Sequence, residues 1–85
     1  MSPDYGNEAL FELELGEAEG NVGNIEAAGD YFRKAIQLSL KAFGEHDIRT
    51  ARIYSAFAGY FSFKHEYDSE MVYSKKAFAI LNASK

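Results

Sequence analysis

Three groups of residues in this chain are of types that could do chemistry: two histidines, a series of closely spaced glutamates, and a glycine-rich pentapeptide. His46 and His65 stand 19 residues apart, one in an expected loop and the other at an expected helix end. This spacing resembles none of the known zinc motifs, and a surface or capping role is the simpler reading of each. Glu12, Glu14, Glu17 and Glu19 could supply paired carboxylates for proton transfer, but a solvated helix face carries the same series. The pentapeptide Gly20-Asn21-Val22-Gly23-Asn24 lacks both the Lys-Ser/Thr pair and the preceding strand of a phosphate-cradling loop. It reads as a turn. The chain has no cysteine, which excludes disulfides, a thiolate metal centre and a thiol nucleophile. The expectation is a protein that is not an enzyme and holds no metal or cofactor.

Composition narrows the partners. The chain has 85 residues, a net charge of −4, 47% apolar and 15% aromatic side chains, enough for one packed domain spanning residues 1–85. Residues 1–32 hold eight acids and no Lys or Arg, whereas residues 33–85 hold nine bases and five acids. Phosphate would be repelled by the first half and only weakly drawn by the second, so no nucleic acid is expected. A basic protein or peptide suits the acidic half better. The acidic N-terminus is unlike a signal peptide and no apolar run is long enough to span a bilayer, so the expected setting is cytoplasmic, away from membranes. Asn82-Ala83-Ser84 matches a glycosylation sequon that such a setting leaves unused.

The elements that must position any site are helices. Apolar residues recur at three- and four-residue spacings nearly throughout. A first helix is expected over about residues 3–22, capped by Ser2, with Pro3 where a missing N–H costs nothing, and with a stripe of Phe11, Leu15, Ala18 and Val22. A second, over about 25–43 behind Asn24, carries Ile25, Ala28, Phe32, Ala35, Ile36, Ser39 and Phe43 and stops at Gly44. A third opens after Asp47, carries Ala51, Tyr54, Phe57, Ala58 and Phe61, and ends near Lys64 and His65. The fourth, over about 67–82, shows Tyr67, Met71, Ser74, Ala77, Phe78 and Leu81. The short connections fold consecutive helices back as antiparallel hairpins, giving an all-α fold. An offset of 42 residues sets Ala9 on Ala51, Leu15 on Phe57, Gly16 on Ala58, Tyr31 on Tyr73, Lys34 on Lys76, Ala35 on Ala77 and Ile36 on Phe78. Two repeats, over about 3–43 and 45–85, follow.

The stretch from Leu15-Gly16 through Gly23-Asn24 to Ala28, Phe32 and Ala35 resembles the heart of a tetratricopeptide repeat. The 42-residue period, with Phe43-Gly44, His46 and Thr50-Ala51, resembles the variety typified by kinesin light chain. The physical logic is that Gly16 and Ala28 are small where two helices cross and Phe32 fills the space beside them. The second hairpin departs, with Glu70 in the slot of Ala28 and Ser74 in that of Phe32. Either the fourth helix turns so that Ser69 and Tyr73 face inward or that crossing is looser, since an unpaired carboxylate in a tight crossing is costly. The first helix has Glu12 and Glu19 where the family usually carries aromatics, as if it were the wetted outer edge of a stack.

The resemblance implies a scaffold that binds a protein or peptide partner along a groove formed by its first and third helices. Groove residues would be Leu10, Leu13, Glu14 and Glu17 from one side, and Arg52, Ser55, Ala56, Gly59 and Phe63 from the other. Core or edge packing is the competing reading of Leu10, Leu13 and Phe63. Family members that grip the C-terminal carboxylate of heat-shock chaperones use a cluster of Lys, Arg and Asn there. Only Arg52 could serve in this chain, so that activity is not expected. A second reading is self-association through Phe78, Ile80 and Leu81, which make the last helix apolar on more than one face where a terminal repeat ordinarily has a covering helix. Lys75-Lys76 could then meet the acidic first helix of another copy. A third is a piece of a longer array. If the histidine reading is right, zinc added in excess is fully removed by dialysis against a chelator; one retained equivalent that is lost in His46→Ala/His65→Ala would overturn it.

Overall fold

The computed structural model describes residues 4–83. Ser2 and Pro3, read above as cap and first turn, and Ser84 of the sequon lie outside the described residues. Four helices, α1 (Tyr5–Asn21), α2 (Ile25–Ala42), α3 (Ile48–Phe63) and α4 (Tyr67–Ala83), account for most of them, and no strand occurs among the described residues. Helix α1 packs on α2 and α3 on α4 as hairpins, and the hairpins are joined through α2 and α3, with a lighter contact of α1 on α3.

Local chemistry explains each boundary. Asp4 begins α1 by accepting from the Asn7 backbone N–H at 3.0 Å, one of the donors a helix start leaves open. Asp47 does the same for α3 through Arg49 N–H at 2.8 Å. The Arg49 guanidinium also returns to Asp47 through Nε at 2.9 Å and Nη2 at 2.8 Å, and these bonds hold the carboxyl at a pKa of about 2. Asn24 stands at the start of α2 but makes no side-chain cap; its amide donates to Glu19 Oε2 at 3.1 Å instead.

The two turns inside the hairpins agree bond for bond at the 42-residue offset. In the first, Val22, Gly23 and Asn24 donate to the carbonyls of Ala18, Gly20 and Glu19; in the second, Lys64, His65 and Glu66 donate to Tyr60, Ser62 and Phe61. The last bond of each set spans six residues, the Schellman closure that needs a left-handed residue just past the helix. Gly23 supplies it in the first turn (φ 89°) and His65 in the second (φ 62°). A side chain there costs about 1–2 kcal/mol, partly offset by the 2.8 Å bond of His65 Nδ1 to the Tyr67 hydroxyl.

Packing corrects the expected face of α1. Its buried residues are Ala9, Glu12, Leu13 and Gly16, whereas Phe11 and Val22 of the expected stripe are 58% and 71% exposed. The reason lies at the crossing with α2: a Cβ on Gly16 would stand 2.7 Å from Phe32 Cε1. Only a small residue lets the axes approach that closely, so the face that carries Gly16 and Ala9 turns inward. Phe32 is buried and lies 6.4 Å from the Phe57 ring and 6.3 Å from that of Tyr60. Gly29 of α2 accepts Tyr60 in the same way, since a Cβ there would fall 2.5 Å from Cζ. Ile53 and Tyr60, missing from the expected stripe of α3, are buried because α3 alone contacts all three other helices.

The fourth helix is also turned, in the manner foreseen as one alternative. Ala77 and Ile80 are buried and Tyr73 lies half-buried against Phe57, Phe61 and Tyr54, with ring centroids 4.7, 5.7 and 5.8 Å away. Tyr67, Met71, Phe78 and Leu81 face out. Ile80, grouped above with the self-association residues, therefore belongs to the core of the second hairpin with Ala51, Tyr54 and Ala77.

Two buried polar contacts lock the register. Thr50 donates its hydroxyl to the Gly44 carbonyl at 2.8 Å, leaving its oxygen to accept from the Ser39 hydroxyl at 2.7 Å. At the first crossing, Glu12 is buried with Oε1 3.3 Å from Lys34 Nζ, while its Oε2 makes no hydrogen bond among the described residues. The 42-residue offset converts this pair into Tyr54 and Lys76, whose ammonium stands 5.8 Å from the ring centroid. A lysine over an aromatic and a lysine on a carboxylate thus fill the same place in the two hairpins.

Gly16→Leu and Ala28→Leu should each lower stability by about 1–3 kcal/mol through overpacking, read as earlier urea midpoints at unchanged slope. Parent-like unfolding of both would mean that this crossing is not the close one.

Candidate functional site

The close approach of α1 to α2 leaves a depression on the other side of α1, between it and α3. Helix α2 supplies its floor, Ala28 and the Phe32 ring. Gly16, Glu17, Gly20 and Asn21 form one wall, Ala56, Gly59, Tyr60 and Phe63 the other, and Ile25 closes one end. The cavity measures about 260 Å³, room for one or two apolar side chains of a ligand rather than a whole small molecule. It exists because glycines stand on both walls. Gly20, read above as part of the turn, is a helical residue of α1 four positions after Gly16. A Cβ at Gly59 would meet nothing within 4 Å.

Four of the residues expected in the groove line this cavity: Glu17, Ala56, Gly59 and Phe63. Leu10 and Glu14 lie earlier on the same stripe of α1, and Arg52 and Ser55 on that of α3, all outside the cavity. Leu13 is 1% exposed and sits in the core with Ala9, Phe32 and Phe57; it offers no surface to a ligand. Phe32, Tyr60 and the Gly16–Gly20 pair were not expected to line the groove. The spacing of those two glycines, one turn apart on a helix opposite a third glycine, was the signal that could have found them.

Charge in and around the groove is predominantly negative on the α1 side. Glu14 and Glu17 are exposed there. On the α3 side, Lys64 donates to the Tyr60 hydroxyl at 3.3 Å and pairs with Glu66 at 3.1 Å, contacts that hold its ammonium above the ordinary lysine range. Both partners fix Lys64 at the end of the wall. No group of three or more metal-binding side chains occurs among the described residues, and no helix of the described residues is long and apolar enough to cross a membrane. The arrangement has room for an apolar anchor of an extended or helical segment and carboxylates beside it.

A family profile described as tetratricopeptide repeat matches residues 7–83, which takes in all of α2, α3 and α4 and most of α1. No curated protein and no solved structure gives a significant match.

Because the space over Gly59 is open, Gly59→Ala should raise stability by about 0.5–1 kcal/mol, the helix-interior difference between the two residues. A thermal scan reading an unchanged or lower midpoint would show that the wall is more crowded than described.

Proposed function

Since this chain belongs to the tetratricopeptide repeat family, we propose that it is a protein-interaction scaffold whose groove between α1 and α3 takes a peptide segment of a partner protein. One observation carries the reading: the cavity over Phe32 is bounded by glycines on both walls, so an incoming apolar side chain meets ring and backbone instead of bulk. The ligand combines an apolar anchor for that cavity with Lys or Arg on its flanks, for which Glu14 and Glu17 are the complement. The anchor supplies affinity by burial, about 1.5–3 kcal/mol for a large apolar side chain. The carboxylates add on-rate and selection, and they weaken as salt shortens the reach of exposed charge. The chain acts by binding, in a cytoplasmic setting, and performs no reaction of its own.

The test uses dye-labelled peptides in which leucine alternates with lysine or, as the control, with glutamate, read by fluorescence anisotropy. The lysine series should bind and the glutamate series should not. Gly59→Phe, which fills the cavity from an open helix position, should weaken binding roughly 10–100-fold, the equivalent of losing the buried anchor. Glu14→Lys with Glu17→Lys should abolish the preference for lysine. Equal affinity of parent and Gly59→Phe would remove the groove from consideration.

A further inference from the structure

The joint between α2 and α3 has a counterpart at each end of the molecule. Inside the chain, α2 brings Gly29, Phe32, Ile36 and Ser39 to the joint, and α3 brings Thr50, Ile53, Phe57 and Tyr60. The 42-residue offset carries the α2 set onto Met71, Ser74, Phe78 and Leu81 of α4, and the α3 set onto Glu8, Phe11, Leu15 and Ala18 of α1. These are the outward faces of the two terminal helices. Phe78 is 69%, Met71 57% and Phe11 58% exposed.

We propose that copies of this chain stack head to tail, the outer face of α1 in one copy seated on the outer face of α4 in the next, repeating between molecules the joint that α2 and α3 make within one. The side chains are complementary in size. Where the inner joint sets Gly29 under Tyr60, the outer one sets Met71 against Ala18, with large and small exchanged. Phe78, Phe11 and Leu15 supply the apolar centre. Charge selects the pairing. Glu8 stands on the outer face of α1 and Glu19 beside it, with no base on that helix, and Lys75 stands beside the outer face of α4; Glu12 and Lys76 are engaged inside their own hairpins. An α1–α1 contact would set carboxylate against carboxylate, whereas Lys75 gives the α1–α4 combination an attractive partner for them. Lys75 also takes the place of Arg33, whose guanidinium lies 5.9 Å from the Phe57 and Tyr60 ring centroids in the inner joint. Such a contact joins unlike faces and has no reason to close, so assembly is open-ended. The surfaces are separate from the groove, and the inference does not depend on it.

Sedimentation of the 85-residue chain tests this with two variants at exposed positions, Phe11→Asp and Phe78→Asp. The parent should gain weight-average mass steadily with concentration. Each variant alone should weaken association roughly 30-fold or more, the loss of a central aromatic contact, at unchanged helicity. An equimolar mixture of the two should form a dimer and nothing larger, since one intact face of each remains; this recovery also certifies that both variants are folded. A parent that stays monomeric to about 1 mM, where only contacts weaker than about 4 kcal/mol escape notice, overturns the proposal. So does a Phe11→Asp variant that still dimerises, which would identify an α4–α4 contact, or a mixture that does not dimerise.

Discussion

Phe32 against Gly16 is the contact on which the rest of the molecule depends. A buried ring can lie flat on a helix backbone only where the side chain is missing, and the gap it fills would otherwise forfeit dispersion contacts along both helices. Because the ring is seated there, its other edge is available to Phe57 and Tyr60, so one residue of α2 ties the first hairpin to the second. The same close approach sets the rotation of α1 about its axis. It sends Ala9 and Leu13 inward, Phe11 outward, and leaves the glycine stripe of α1 facing α3 with no bulk of its own. Core, groove and exposed edge are three consequences of one crossing.

The two hairpins share a plan and differ in how it is filled. Their turns close with the same hydrogen bonds, yet Gly23 is relaxed in a left-handed conformation that costs His65 strain. At the crossing, Glu12 with Lys34 gives way to Tyr54 with Lys76. The first solution leaves a carboxylate oxygen without a hydrogen bond among the described residues; the second buries an aromatic ring, and desolvation pushes the Tyr54 phenol above its ordinary range. In the second hairpin Ser74 occupies the place of Phe32, and the filling of that space passes to Tyr73, whose ring meets Phe57 and Phe61. The aromatic cluster is thus continuous from Phe32 to Tyr73, although the residue positions that build it change from one repeat to the next.

Each helix of a stack carries two apolar faces, one toward its hairpin partner and one toward the neighbouring hairpin. For α2 and α3 both faces are covered within the chain. For α1 and α4 only one is, and the other stays on the surface as Phe11 and Val22 at one end and Met71, Phe78 and Leu81 at the other. The expected stripes of α1 and α4 were largely these second faces. They are as regular as the true inner faces, because stacking and hairpin packing impose the same three- and four-residue spacing.

What the amino-acid sequence determined by itself is local. Helix spans, the left-handed Gly23 and Gly44, the caps at Asp47 and the repeat period follow from backbone preferences and short-range hydrogen bonds, which need no knowledge of the remaining chain. The outer members of the groove, Glu17, Ala56, Gly59 and Phe63, were legible through resemblance to a family whose stacking geometry is regular. The burial of Leu13 and Ile80 and the floor made by Phe32 were decided only by tertiary structure. Periodicity shows that a helix has apolar faces but not which of two it turns to its partner. That choice falls to the closest approach available, and here the missing side chain of Gly16 made it.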